Sequence, residues 1–285
     1  MRNRLETEVQ SAQHIGGRRE QQDVVEVADN LGGVCLAVLA DGMGGMLMGR
    51  ECAERAVSAF IESFAARSAG GIAENLVFSA RRANELVFSM AEANGAAEMA
   101  GCTLLAAAVS ERELYWLSIG DSHIYLFRES SLRQLNTDHN LRTRLLKARQ
   151  YPEEHDTGGD INLSALTSFV GISRLSEVDV SPEPIALFAG DSVLLCSDGL
   201  YNTLTDGDIA AVLSASEVKD KAAGLLDEVL ARAKDHQDNV SLVVLSVPDR
   251  AGGAGGDDDK TVLIGKKRSE NIFLRKLLRF FHLVR

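Results

Sequence analysis

Four aspartates each stand at the mouth of a short apolar run, and carboxylates placed in this way can do chemistry together. Asp41 closes the run 34–40, Asp121 follows 114–120, Asp198 follows 193–197 and Asp238 precedes 239–245. A single carboxylate at a strand end is by default a turn former. If the strands that carry the four pack together, their carboxylates converge, and like charges held close need protons or cations between them. Oxygen ligands without clustered His or Cys select hard ions, Mg²⁺ or Mn²⁺, over zinc. A divalent-metal site is the leading expectation.

Two further stretches carry candidate chemistry. In Gly16-Gly17-Arg18-Arg19-Glu20-Gln21-Gln22-Asp23 an Arg lies five residues before an Asp at a strand start. Such an Arg can hold a planar oxyanion bidentately, although a solvated charge cluster is the default reading of the isolated pattern. In Ala40-Asp41-Gly42-Met43-Gly44-Gly45-Met46-Leu47-Met48-Gly49 an acid at the end of a buried strand meets glycines that let backbone approach a ligand. The spacing fits neither a Walker loop nor a dinucleotide fingerprint, and an acid directly before the glycines suits a metal better than a phosphate. The six histidines (14, 123, 139, 155, 236 and 282) are scattered without ligand spacing and read as structural or surface groups.

The elements that must position these residues are legible from periodicity. Strand-like runs fall at 7–15, 23–28, 34–40, 103–109, 113–119, 123–128, 178–181, 192–197 and 240–246. The turns Ser110-Glu111-Arg112 and Gly120-Asp121-Ser122 are short enough for antiparallel hairpins. Helices are expected at 49–67, at 72–94, where Leu76, Ala80, Ala83, Val87 and Met90 form one stripe, and at about 217–234. Helices fall between blocks of strands and do not alternate with them one for one, which favours antiparallel sheets covered by helices. Residues 141–168 begin like a short basic helix and continue irregularly, so they are read as a flap.

Length and composition set the outer bounds. The chain has 285 residues, 45% hydrophobic and 25% charged, and no internal repeat, as in an ordinary soluble globular protein. Its net charge of −11 argues against a general nucleic-acid binder. Cys35, Cys52, Cys102 and Cys196 have no paired spacing and read as small buried hydrophobes in a reducing compartment. The first residues form no hydrophobic signal core and no stretch reaches membrane-spanning length, so a cytoplasmic location is expected. Charge is uneven: residues 266–285 carry +6 and the remainder −17. A domain over 5–248, a Gly/Asp-rich linker over 249–265 and a basic amphipathic tail over 266–285 are expected.

Ala-Asp-Gly-Met-Gly-Gly at 40–45, Gly-Cys-Thr at 101–103, Ile-Gly-Asp-Ser-His at 119–123, Thr-Asp-His-Asn at 137–140, Cys-Ser-Asp-Gly-Leu at 196–200 and Asp-Asn-Val-Ser at 238–241 occur in that order. Together they resemble the ordered motifs of the metal-dependent serine/threonine protein phosphatases, the PPM or type 2C family, in its bacterial form. The resemblance spans about 7–247. It implies an α+β fold, a four-layer α-β-β-α sandwich of two antiparallel sheets flanked by helices. It further implies that Asp41 bridges two Mn²⁺ or Mg²⁺ ions with help from the Gly42 carbonyl. Asp198 and Asp238 match the acids that complete the second ion, and Asp121 matches the acid of a weaker third site. Arg18 matches the Arg that binds substrate phosphate, Asp23 the acid that orients metal-bound waters, and Asn239 a supporting partner. The implied activity is hydrolysis of phosphoserine or phosphothreonine on proteins by in-line attack of a water between two ions, reversing a Ser/Thr kinase.

The chain departs from the pattern in places. Gln21 stands where Asn is common, His123 where the third-site motif normally has Arg, and Met43 and Met46 where a histidine proposed as general acid is found. The competing expectation is a catalytically silent phosphatase-fold regulator that binds a phosphoprotein or signalling partner. In the tail, Arg275, Arg279 and His282 share a helical face beside Lys276 with a wide apolar arc opposite, as expected for an anionic membrane surface or a partner groove, placing the protein at the inner membrane face. Asp257-Asp258-Asp259-Lys260-Thr261-Val262-Leu263-Ile264 resembles phosphothreonine peptides read by forkhead-associated domains, with Thr261 as the phosphorylated residue.

Overall fold

The computed structural model describes residues 7–43, 48–67, 69–148, 162–232 and 234–248. Thirteen strands and six helices are described. The long strands are β1 (Glu8–His14), β2 (Val24–Leu31), β3 (Val34–Ala40), β6 (Leu104–Ser110), β7 (Glu113–Ile119), β8 (His123–Arg128), β12 (Ser192–Cys196) and β13 (Val240–Ser246). Short pieces are β4 (Gly42–Met43), β5 (Gly101–Cys102), β9 (Ser131–Gln134), β10 (Asp179–Val180) and β11 (Ile185–Ala186). One sheet runs β1-β13-β12-β8-β9, and the second runs β10-β7-β6-β3-β2 with β11 also on β7; all pairings are antiparallel.

Strand alternation sorts side chains into layers. Ala37, Leu39, Leu105, Ala107, Val193, Leu195, Val243 and Leu245 point between the two sheets and form the central core. Their neighbours Leu36, Val38, Leu104 and Ala106 face the other way, against α1 (Gly49–Ala66) and α2 (Ile72–Ala93). Leu194, Leu242 and Val244 likewise face α5 (Asp206–Ser214) and α6 (Lys221–Ala231) through Ile209, Leu225 and Val229. The result is the expected four-layer sandwich. In α2 the anticipated stripe packs as drawn: Leu76, Ala80, Ala83 and Val87 are buried and Met90 is partly so.

The differences have local causes. The Ser110 turn is a hairpin, with Ser110 paired to Glu113. The Gly120-Asp121-Ser122 turn is not, because β7 and β8 belong to different sheets. Gly120 adopts φ +102, and Asn136 Nδ2 donates to Ser118 Oγ and Ser122 O, so the chain crosses from one sheet to the other at this corner. Helix α5 was not anticipated, although a Thr205–Asp208 capping box marks its start. The helix expected at 217–234 is shorter, with Asp220 capping its N-terminus at Ala223 N. Of the flap, α3 (Leu141–Lys147) and residues 162–168 are described; 149–161, Met46 and the whole of 249–285 lie outside the described residues.

Candidate functional site

Register brings the acids to one end of the sandwich. The start of β2 pairs with the end of β3, placing Asp23 beside Asp41. The start of β6 pairs with the end of β7, the start of β8 with the end of β12, and the end of β12 with the start of β13. Asp121, Asp198 and Asp238 therefore emerge at the same edge. Asp41, Gly42, Asp121, Asp198 and Asp238 line one cleft of about 700 Å³, together with Arg18, Arg19, Glu20, Gln22, Thr103, Asn239 and the 164–166 segment.

Each acid is set by contacts that the sequence motifs explain. Asp41 N donates to Thr103 Oγ1 (3.0 Å), Thr103 N donates to Asp41 O (2.9 Å), and Thr103 Oγ1 shares a 2.8 Å bond with Ser122 Oγ. Thr103 thus ties the Asp41 corner to the Asp121 corner. The buried Asp23 accepts from Ser197 Oγ at 2.8 Å, while its Oδ1 has no hydrogen-bond partner among the described residues. Asn239 Oδ1 accepts from Gln22 N (2.8 Å), and its Nδ2 donates to Ile15 O (2.8 Å) and Glu20 O (3.0 Å). That side chain shapes the 15–22 loop and so aims Arg18, whose Nη2 meets Asp238 Oδ2 at 2.6 Å. Gly16 has φ +63, and a Cβ there would collide with the Asp238 carbonyl, so the close loop approach requires glycine.

The electrostatics decide what this arrangement can hold. Burial and then the neighbouring Asp23, Asp198, Asp121 and Asp238 push the Asp41 carboxyl well above its usual range. Burial, Asp238, Asp121 and Asp23 push Asp198 up to about 7, with Arg18 opposing. Burial and Asp138 raise Asp121 to about 6, and burial raises Asp23. Carboxylates that raise one another in this way either keep protons or share cations. The donor set is all oxygen and one buried carboxylate oxygen is orphaned, which fits hard divalent ions. Among the described residues no three His, Cys, Asp or Glu side chains already close on a single ion position, and Asp238 is paired with Arg18.

Comparison with known proteins agrees with that geometry. The family described as Protein phosphatase 2C matches residues 11–242. The chain belongs to that family. The Protein phosphatase 2C fold is also evident in solved structures: the Streptococcus agalactiae serine/threonine phosphatase superposes with TM-score 0.75 at 28% identity, over 85% of this chain and all of that one. The catalytic domain of the serine/threonine protein phosphatase PstP, solved in complex with two manganese ions, superposes with TM-score 0.69 at 26% identity, over 85% of this chain and 99% of that one. In sequence, Serine/threonine protein phosphatase PstP of Mycobacterium tuberculosis is 31% identical over 243 residues. The match covers 81% of this chain and 46% of PstP, so the chain spans about half the length of that relative.

All the sequence-derived site residues of this Protein phosphatase 2C member fall in or beside the cleft. Arg18, Asp41, Gly42, Asp121, Asp198, Asp238 and Asn239 line it, and Asp23 lies behind Asp41. Sequence reasoning gave no role to Thr103, although it ends the Gly-Cys-Thr motif at 101–103. It also passed over Ser197 and Ser241: Ser241 N donates to Ser197 Oγ, which in turn donates to Asp23. Tyr201 and Asp138 were missed as well; no periodic signal distinguishes a tyrosine one turn beyond Asp198.

Proposed function

We propose that this protein hydrolyses phosphoserine and phosphothreonine esters on proteins in a metal-dependent reaction, opposing a Ser/Thr kinase. The observation that carries the reading is the cleft in which Asp41, Asp121, Asp198 and Asp238 meet beside an exposed Arg18, with burial and neighbouring carboxylates raising the Asp41 and Asp198 carboxyl groups. Asp41, the Gly42 carbonyl, Asp198 and Asp238 are the groups that would hold two Mn²⁺ or Mg²⁺ ions, with Asp121 serving a weaker third. PstP, which resembles this chain, supports Mn²⁺ in that role. When bound, such ions acidify a water for attack on phosphorus and neutralise charge on the phosphoryl oxygens.

The chain's own residues do the rest. Arg18 is more than half exposed and engages Asp238 through one nitrogen, which leaves guanidinium donors for phosphate oxygens. Asn239 and Gly16 keep that loop against the cleft. Asp23, through its orphaned oxygen, can accept a hydrogen bond from a water held near Asp41. The competing reading, a silent phosphoprotein-binding regulator, draws no support from a cleft that keeps every acid. The deciding experiment is turnover of a phosphothreonine peptide with Mn²⁺ and in chelator. Metal-dependent release of phosphate supports the proposal, and stable peptide under both conditions overturns it.

We further infer a cytoplasmic protein whose tail contacts an anionic membrane face, with phosphorylated Thr261 as a docking point for a forkhead-associated domain. Among the described residues no helix is long and apolar enough to cross a membrane. A truncation ending at Val247 should keep activity on small phosphopeptides and lose sedimentation with anionic vesicles; retained sedimentation refutes the membrane role.

A further inference from the structure

His123 begins β8 directly after the Asp121-Ser122 corner, and its side chain is buried there. Its ring stacks on Tyr201 with centroids 3.7 Å apart and planes 13° from parallel. Nε2 lies 3.0 Å from Asp138 Oδ1 and Nδ1 lies 2.8 Å from Tyr125 OH. Asp138 is held in turn by Gln134 Nε2 at 3.1 Å. Both ring nitrogens are engaged, so the imidazole is fixed in plane and position. It then serves as a rigid seat for the Tyr201 ring.

Tyr201 makes use of that seat. It ends the short helix α4 (Asp198–Tyr201), and its hydroxyl donates to the Asp121 backbone carbonyl at 3.0 Å. One side chain therefore connects the helix that begins with Asp198 to the corner that presents Asp121. From the opposite side His139 N donates to Gly120 O (2.9 Å) and Gly120 N donates to His139 Nδ1 (3.2 Å), clamping the residue before Asp121. The corner links two different sheets and lacks a hairpin's ladder, so these contacts replace the missing register. They also oppose the repulsion between two acids that would otherwise spread apart.

We propose that Tyr201, seated on His123, is a positioning residue that fixes the separation of Asp121 and Asp198 and so sets affinity for the most weakly held divalent ion. The proposal rests on the carboxylate cluster being a cation site, and the experiment separates the two claims. Full-length wild type, Tyr201→Phe, His123→Phe and Asp121→Asn are titrated with Mn²⁺ alone, free ion being followed by electron paramagnetic resonance and melting temperature recorded in parallel. Tyr201→Phe keeps the stack and removes only the hydroxyl bond; His123→Phe keeps an aromatic seat and removes its polar anchors. The expected result is that Tyr201→Phe weakens the lowest-affinity ion about tenfold, leaves the tighter ions in place and leaves the metal-free melting temperature nearly unchanged. His123→Phe moves the same ion in the same direction, and Asp121→Asn removes it. Wild-type affinity in Tyr201→Phe, with loss in Asp121→Asn, overturns the positioning role while leaving the cation site standing. If Asp121→Asn also binds as wild type does, Asp121 holds no ion and the positioning role falls while the cation site stands; if wild type binds no Mn²⁺, both claims fall.

Discussion

Replacing Asp198 by Asn should stabilise the metal-free protein at alkaline pH, a consequence that a merely structural aspartate would not have. Burial and the carboxylates of Asp238, Asp121 and Asp23 move Asp198 from its ordinary 3.8 to about 7. A folded-state value above the unfolded one means that the folded chain holds the proton more tightly. Stability contributed by that proton is complete below about pH 4 and is lost as pH rises through 7. At pH 8 the ionised group costs the folded state on the order of 4 kcal/mol if it acted alone. The neighbouring acids share the repulsion, so one substitution recovers a part, about 1–3 kcal/mol. For a domain of this size each kcal/mol moves the melting temperature by about 2–4 °C. In chelator at pH 8, Asp198→Asn should therefore melt about 2–12 °C above wild type, and the gap should close near pH 4. With saturating Mn²⁺ the order reverses, because wild type gains the ions and the variant does not. Differential scanning fluorimetry across pH measures all three. Equal melting temperatures in chelator at pH 8 would sink the argument that these carboxylates repel one another.

Other substitutions separate the parts of the site. Arg18→Ala should raise KM for a phosphopeptide about tenfold or more with no loss of Mn²⁺ affinity, and its exposed ion pair predicts a stability change within about 1 kcal/mol; weaker metal binding with unchanged KM would contradict its phosphate role. Asn239→Ala removes three hydrogen bonds from a buried side chain, so a loss of about 2–4 kcal/mol in urea unfolding is expected, together with impaired turnover. Thr103→Val breaks the links from Asp41 N to Ser122 and should lower Mn²⁺-stimulated turnover while costing about 1–3 kcal/mol; unchanged turnover would show that the Asp41 corner holds itself.

The long strands and the first two helices could be read directly because their burial is one-sided or complete, and apolar periodicity records burial. The acids were legible for a related reason: each interrupts a run that otherwise continues to the sheet edge. What escaped the sequence was whatever depends on partners distant in the chain. β9 is a polar stretch whose turn uses Glu129 at φ 50 and Ser130 at φ 61, without the glycine that would have signalled it. The corner at Gly120 looks like a hairpin locally and becomes a crossover because Asn136 and His139 arrive from another segment. Thr103 and Tyr201 are ordinary residues in composition terms, and only the fold brings one to Asp41 N and the other to the Asp121 carbonyl.

The central claim is that the carboxylates around Asp41 hold the ions on which phosphoester hydrolysis depends. Counting bound Mn²⁺ by equilibrium dialysis on wild type, Asp41→Asn and Asp238→Asn, and measuring phosphothreonine-peptide turnover on the same samples, tests it most directly. The account predicts at least two ions and Mn²⁺-dependent turnover for wild type, and loss of both in each folded variant at limiting Mn²⁺. Turnover like that of wild type in Asp41→Asn or Asp238→Asn at limiting Mn²⁺ would contradict it.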